Sequence, residues 1–186
     1  MKALDILVEE HRLIERLLNT LEIGIDLLEK GTAVRPEFFL SATDFMRGYA
    51  DGCHHAKEEG VLFRYMEHQG IPDDGCPLGV MLAEHACGRQ YMRALVSAAR
   101  ALQAGEPSAK RRAIMSSRSY ITLLRQHIYK EDNILFPMAE GVIPTSQHAA
   151  LYEDFEQEQQ AEIAEGAHEK YLQLAEALGN EIKIYL

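Results

Sequence analysis

Apolar residues along this chain recur at alternating intervals of three and four, the period of an amphipathic α-helix, while strand signals are weak throughout. In the first stretch Leu4, Leu7, His11, Ile14, Leu18, Leu21, Ile25 and Leu28 form one stripe that Gly31 ends. The second opens at Pro36, a residue suited to a helix's first turn, takes Phe38, Phe39, Phe45 and Met46 as early apolar contacts, and runs to about Gln69, before a turn-rich segment. The third follows Pro77 and shows Leu78, Met81, His85, Gly88, Met92, Leu95, Ala99 and Leu102 on one face. Gly105-Glu106-Pro107-Ser108 then breaks the chain, with Ser108 placed to cap a fourth helix whose face carries Tyr120, Leu124, His127, Glu131, Ile134 and Leu135, and Pro137 and Pro144 bracket its end. The pattern predicts an all-α fold, an up-down-up-down antiparallel four-helix bundle over residues 1–144. Residues 145–186 read as a C-terminal helical segment, one long helix or two broken near Gly166. Its Leu172, Leu174, Leu178 and Ile182 would pack on the bundle or against a second copy of the chain, as in a homo-oligomer.

The stripes also contain residues that do not belong in an apolar core. His54-x-x-Lys57-Glu58-Glu59-x-Val61-Leu62-Phe63 and His127-x-x-Lys130-Glu131-Asp132-x-Ile134-Leu135-Phe136 share one pattern at an offset of 73 (127 − 54), and Glu10-His11 and Glu84-His85 form a matching pair. The chain therefore reads as two copies of one helical hairpin, each with a lone histidine on its first helix and His-x-x-x-Glu on its second. Residues four apart share a helix face, so each His-x-x-x-Glu aims an imidazole and a carboxylate at one point. Together the four helices place His11, His54, Glu58, His85, His127 and Glu131 in one interior layer.

Burying carboxylates without a cation costs several kcal/mol each, roughly the net stability of a small domain, and bound metal relieves that cost. Nitrogen and oxygen donors without thiolate suit iron or manganese, zinc also accepts them, and two carboxylates between two metals are the usual bridges. Spacing nominates further residues around this layer. His55 could also contribute as an accessory ligand, but it and Glu59 lie about 100° round the helix from His54 and Glu58, which reads rather as a neighbouring or surface histidine and a solvent-facing acid. Glu15 and Arg89, four residues after His11 and His85, could pair or orient a bridging carboxylate. Tyr65 and Tyr120 share ligand faces, though they fit ordinary core tyrosines, and His168 in the tail could close over the site.

Composition narrows the function classes. The 186 residues carry 19 Lys and Arg against 29 Asp and Glu, a net charge of −10, so the electrostatic footprint of a nucleic-acid or anionic-membrane partner is missing. No apolar run approaches membrane-spanning length, and Met1-Lys2-Ala3-Leu4-Asp5 reads as helix and not as a signal peptide, so a cytoplasmic location is expected. Three cysteines, Cys53, Cys76 and Cys87, include no C-x-x-C pair, which speaks against a disulfide framework or a thiolate zinc site. Phosphate-cradling glycine loops and nucleophile elbows are absent from the sequence.

At Glu10-His11-Arg12, Asp51-Gly52-Cys53-His54-His55-Ala56-Lys57-Glu58-Glu59, Glu84-His85 and His127-Ile128-Tyr129-Lys130-Glu131-Asp132 the chain resembles the hemerythrin-like family of HHE cation-binding domains, from His11 to Met138. The resemblance implies a four-helix bundle with two non-haem iron ions joined by an oxo or hydroxo bridge, His11 and His54 on one, His85 and His127 on the other, and Glu58 and Glu131 bridging. Oxygen-carrying hemerythrins have a further histidine where this chain has Met81, and a last carboxylate at the place of Asp132. The expected ligand is dioxygen or a related small molecule, nitric oxide or peroxide. The alternatives are an enzyme consuming peroxide or nitric oxide, and a metal-stabilised sensing or interaction module.

Overall fold

The computed structural model describes residues 2–164 and 166–185, with the side chains of 161–164 excepted; Met1 lies outside them. It is all-helical, and among the described residues there is no strand. Helix α1 is Lys2–Glu29, α2 runs without a break over residues 36–68, α3 is Leu78–Gln103, α4 spans residues 109–142, and two shorter helices follow, α5 His148–Ala164 and α6 Ala167–Lys183. The first four form the expected bundle, with α3 packed along α4, α2 on α3 and α1 on α4. No helix among the described residues is long and apolar enough to cross a membrane.

The core is divided in two. Leu13, Ile14, Leu17, Leu21, Phe38, Phe39, Phe45 and Leu95 belong to one apolar cluster, Leu4, Leu7, Leu62, Phe63, Met81, Leu135 and Phe136 to the other. His11 falls between Leu7 and Ile14 on α1, so the polar layer sits between two apolar slabs that exclude water from it. The stripe of α1 is buried at every position the periodicity marks.

Helices α2 and α4 are not regular. Met46–His55 and Glu58–Leu62 in α2, and Glu131–Leu135 in α4, are π-helical. An i→i+5 turn holds more residues than an α-turn, so successive side chains diverge by less than about 100°. Two sequence-based expectations, for Ile134 and His55, shift for this reason. Ile134, seven residues after His127, is half exposed, and Leu135 takes the buried place. Helix α4 ends at Val142, between Pro137 and Pro144 as expected, and the wide turn directly before Pro137 opens the hydrogen-bond ladder where proline has no N–H to give and its ring would meet the preceding turn. His55 is drawn inward, as described below. Ser108 occupies the N-cap position of α4, but its hydroxyl makes no capping hydrogen bond.

The C-terminal helices pack on the bundle. Gly166, at φ +70°, supplies the left-handed residue that separates α5 from α6. Leu151 and Phe155 of α5 join one apolar cluster, while Tyr171, Leu178 and Ile182 of α6 join the other. Arg35 donates to both carboxylate oxygens of Glu181 at 2.6 Å, and the Tyr171 hydroxyl lies directly against Gly48 of α2, where any Cβ would stand 1.7 Å from it.

Candidate metal centre

All six residues of the doubled motif converge in the layer between the slabs, each no more than 1% exposed. His11 and His54 bring their Nε2 atoms within 3.0 Å of each other, and so do His85 and His127. The two carboxylates stand between these imidazole pairs and present one oxygen to each. Glu58 Oε1 is 3.5 Å from His54 Nε2 and its Oε2 is 3.5 Å from His85 Nε2. Glu131 Oε2 is 3.2 Å from His11 Nε2 and its Oε1 is 3.0 Å from His127 Nε2.

These approaches are close without being aligned as hydrogen bonds, and all four carboxylate oxygens are buried with no hydrogen-bond donor. The other ring nitrogens explain why. His11 Nδ1 lies 2.8 Å from Asp132, His54 Nδ1 3.0 Å from Glu10, His85 Nδ1 2.7 Å from Glu59 and His127 Nδ1 2.9 Å from Glu84. Each Nδ1–H donates to a carboxylate, which leaves the Nε2 lone pairs facing one another and facing carboxylate oxygens. Lone pairs and anionic oxygens collected in a dry layer call for cations. The donors resolve into two groups around the shared Glu58, His11, His54, Glu58 and Glu131 in one and His55, Glu58, His85 and His127 in the other, with the donor atoms of each within 4.8 Å of one another. The residues present therefore fit two metal ions.

Protonation tells the same story for the protein without metal. Burial lowers His11, but its partners Asp132 and Glu131 outweigh that and push it up to about 9. His127 is likewise lowered by burial and raised further by Glu131 and Glu84, to about 10. Burial pushes the Glu131 carboxyl up, yet His127 and His11 hold it well below the usual carboxylate range. In the absence of metal, protons occupy the places that metal takes, so uptake releases them.

The outer carboxylates were not assigned from sequence, although the repeat contained them. Glu10 and Glu84 precede the first-helix histidines, and Glu59 and Asp132 fill the acidic position of the second-helix motif. Glu59 does not face solvent alone: it holds His85. The motif lysines belong to the same construction. Fully buried Lys57 lies 2.9 Å from Glu10, and Lys130 contacts Glu84. The signal that could have found them was their recurrence in both copies.

Other nominated residues scatter. Arg89 pairs with Asp51 at 2.7 Å and Glu59 at 2.8 Å, and so braces the layer from outside. Glu15 instead pairs with Arg12 at the surface. Tyr65 donates to Asp154 on α5, and Tyr120 is buried beside His55, His85 and His127 without entering either donor group. His168 lies against Tyr49, ring centroids 6.2 Å apart, outside both groups. His55 is the opposite case, buried and stacked on His85 at 3.8 Å, where burial holds its basicity well below the ordinary value.

The hemerythrin HHE cation-binding domain matches residues 2–139. The chain belongs to this family. Its HHE match covers α1 to α4 up to Ala139 and so contains every residue of the two donor groups. Uncharacterized protein Rv1995 of Mycobacterium tuberculosis and Uncharacterized protein Mb2018 of Mycobacterium bovis are each 22% identical to it over 179 residues, 96% of this chain and 69% of theirs. No solved structure matches the chain.

Proposed function

We propose that this HHE protein holds two non-haem iron ions, one on His11 and His54, the other on His85 and His127, with Glu58 and Glu131 bridging, and that it binds dioxygen or a related small ligand, nitric oxide or peroxide, there. The observation that carries this reading is the pair of buried carboxylates that have no hydrogen-bond donor and offer one oxygen to each imidazole pair. Iron is favoured over zinc by the paired, carboxylate-bridged, thiolate-free donor set. When bound, two iron ions supply redox chemistry and positions at which a small ligand is taken up.

The protein's own groups do the rest. Asp132, Glu10, Glu59 and Glu84 fix the tautomer and orientation of the four imidazoles, which raises their basicity towards metal. Phe136, stacked on His11 at 5.5 Å, and Phe63, stacked on His85 at 6.1 Å, wall the layer off from water. A small diatomic ligand suits so enclosed a place better than an organic substrate does.

Six donors for two ions leave positions open, which also suits an enzyme that turns over peroxide or nitric oxide. Anaerobic titration of ferrous iron into metal-free protein is expected to saturate at about two ions per chain. Admission of oxygen is then expected to produce a ligand-to-metal charge-transfer band. Saturation at one ion or none would overturn the reading. A stable spectrum after oxygen or nitric oxide identifies a binding protein, and steady consumption identifies an enzyme.

A further inference from the structure

The two halves of the centre share one plan of donors, and one half carries an extra imidazole. Four histidines follow a single plan, with Nδ1 on a carboxylate and Nε2 directed inward. His55 follows it too. Its Nδ1 lies 3.3 Å from Asp51, and its Nε2 is buried and meets no hydrogen-bond partner. Asp51 is in turn held by the Arg89 guanidinium at 2.7 Å. Among the described residues, His148 shows the contrast: its Nε2 is spent on the Ile143 carbonyl at 3.0 Å.

The repeat shows that this fifth histidine is an addition. In the second copy the counterpart of His55 is Ile128 and that of Asp51 is Leu124, while Arg89, itself in the second copy, corresponds to Glu15 in the first. His55 and Asp51 are thus paired in the first copy and both missing from the second, and the guanidinium that holds Asp51 comes from the second copy, at a place where the first has an acid. The π-helical segment Met46–His55 brings two consecutive imidazoles to one layer, and the Nε2 of His55 falls among the donors of His85, His127 and Glu58. An imidazole kept only for packing would leave a desolvated nitrogen unpaired beside a cluster of metal donors.

We propose that His55 Nε2 is a ligand to the metal on the His85–His127 side, which becomes a three-imidazole site, so that the open positions and the exogenous small ligand belong to the metal on the His11–His54 side. This rests on the two-metal reading above. Met81 gives α3 no second donor, and His55 supplies the third imidazole from α2 instead.

The deciding measurement is proton NMR of the anaerobic, ferrous-loaded full chain in H2O and in D2O. An imidazole bound through Nε2 with its Nδ1–H held by a carboxylate gives one exchangeable, hyperfine-shifted proton. Five such signals are expected, and His55→Ala is expected to lose one of them and to release one of its two ions to a chelator about tenfold faster or more. Free imidazole, filling the space left by the side chain, should restore the slow release. Asp51→Asn keeps His55 but loosens it, and is expected to show five signals with an intermediate release rate.

Four signals in the unsubstituted protein, with two ions bound, would overturn the assignment of His55 and leave the two-metal reading standing. Absence of shifted signals together with fewer than two bound ions would remove both. Because the signal count is made on the unsubstituted chain, it decides the matter even if His55→Ala does not fold.

Discussion

The His11–His54 half and the His85–His127 half are made from the same words in different surroundings. In the first, Glu10 lies between His54 and Lys57, and all three are buried; in the second, Glu84, its side chain 20% exposed, lies between buried His127 and Lys130, whose side chain is 30% exposed. The first half also has neighbours the second lacks. Glu10 opens on a surface pocket walled by Tyr49, Tyr152, Gln159, His168 and Leu172, the last four contributed by α5 and α6. Duplication of a hairpin thus accounts for the donors and their outer acids, whereas the helices after Thr145 account for how deeply one half is covered. Sequence symmetry is a guide to chemistry here and a poor guide to solvent access.

The strongest way to break the comparison is to remove what both halves share. Glu58→Ala takes an oxygen from each donor group, and is expected to abolish retention of both ions, read as metal content per chain after gel filtration. Loss of a single ion would mean that Glu58 serves one half alone.

The lysines separate the halves. Breaking a buried pair costs about 3–5 kcal/mol and breaking an exposed one about 0–1 kcal/mol. Lys57→Met is therefore expected to lower unfolding stability by several kcal/mol, and Lys130→Met by about 1 kcal/mol or less, in urea denaturation of the metal-free proteins. Equal losses would show that the covering of Glu10 does not matter.

Stability against pH tests the protons that stand in for metal. His11 at about 9 and His127 at about 10 lie above the 6.5 of an unperturbed histidine. Their contribution is complete below pH 6.5 and is lost as pH rises through 9 to 10. Glu131, held below its ordinary 4.5, contributes above that pH, and its share is lost on acidification. Buried His55, held well below its ordinary value, adds a further loss on acidification below pH 6.5, so metal-free protein is expected to be most stable near pH 6.5. In the loaded protein the alkaline loss should vanish, since metal holds the lone pairs at either pH. Paired denaturation curves at pH 6 and pH 10 check both statements.

The smallest expected effect on metal binding tests the covering helices. Gly48→Ala would drive a methyl into the Tyr171 ring, and is expected to cost about 1–3 kcal/mol through displacement of α6. Metal on the His85–His127 side should be retained unchanged, as judged by metal content and chelator release.

The helices and the six central residues were legible because they obey the 3.6-residue period: His11 and His85 could be placed among leucines and methionines without reference to anything distant. The π-turns were not legible, since no local propensity marks them. They moved His55 into the layer and put Ile134 out of it. Glu15 and Arg89 mislead for another reason. They occupy matching places in the two copies, yet one finds Arg12 at the surface and the other finds Asp51 and Glu59, because neighbours outside the repeat decide.

Every imidazole around this centre gives its outer proton to a carboxylate. Such a ring carries part of the character of an imidazolate and pushes electron density through Nε2 towards whatever it binds. A redox-active ion held by two or three of these rings and the two carboxylates would have its higher valence favoured, and its reduction potential would lie below that of the same ion on neutral histidines. The acids of the surrounding shell, which lie outside both donor groups, would therefore set how strong an electron donor is needed to return such an ion to its reduced form.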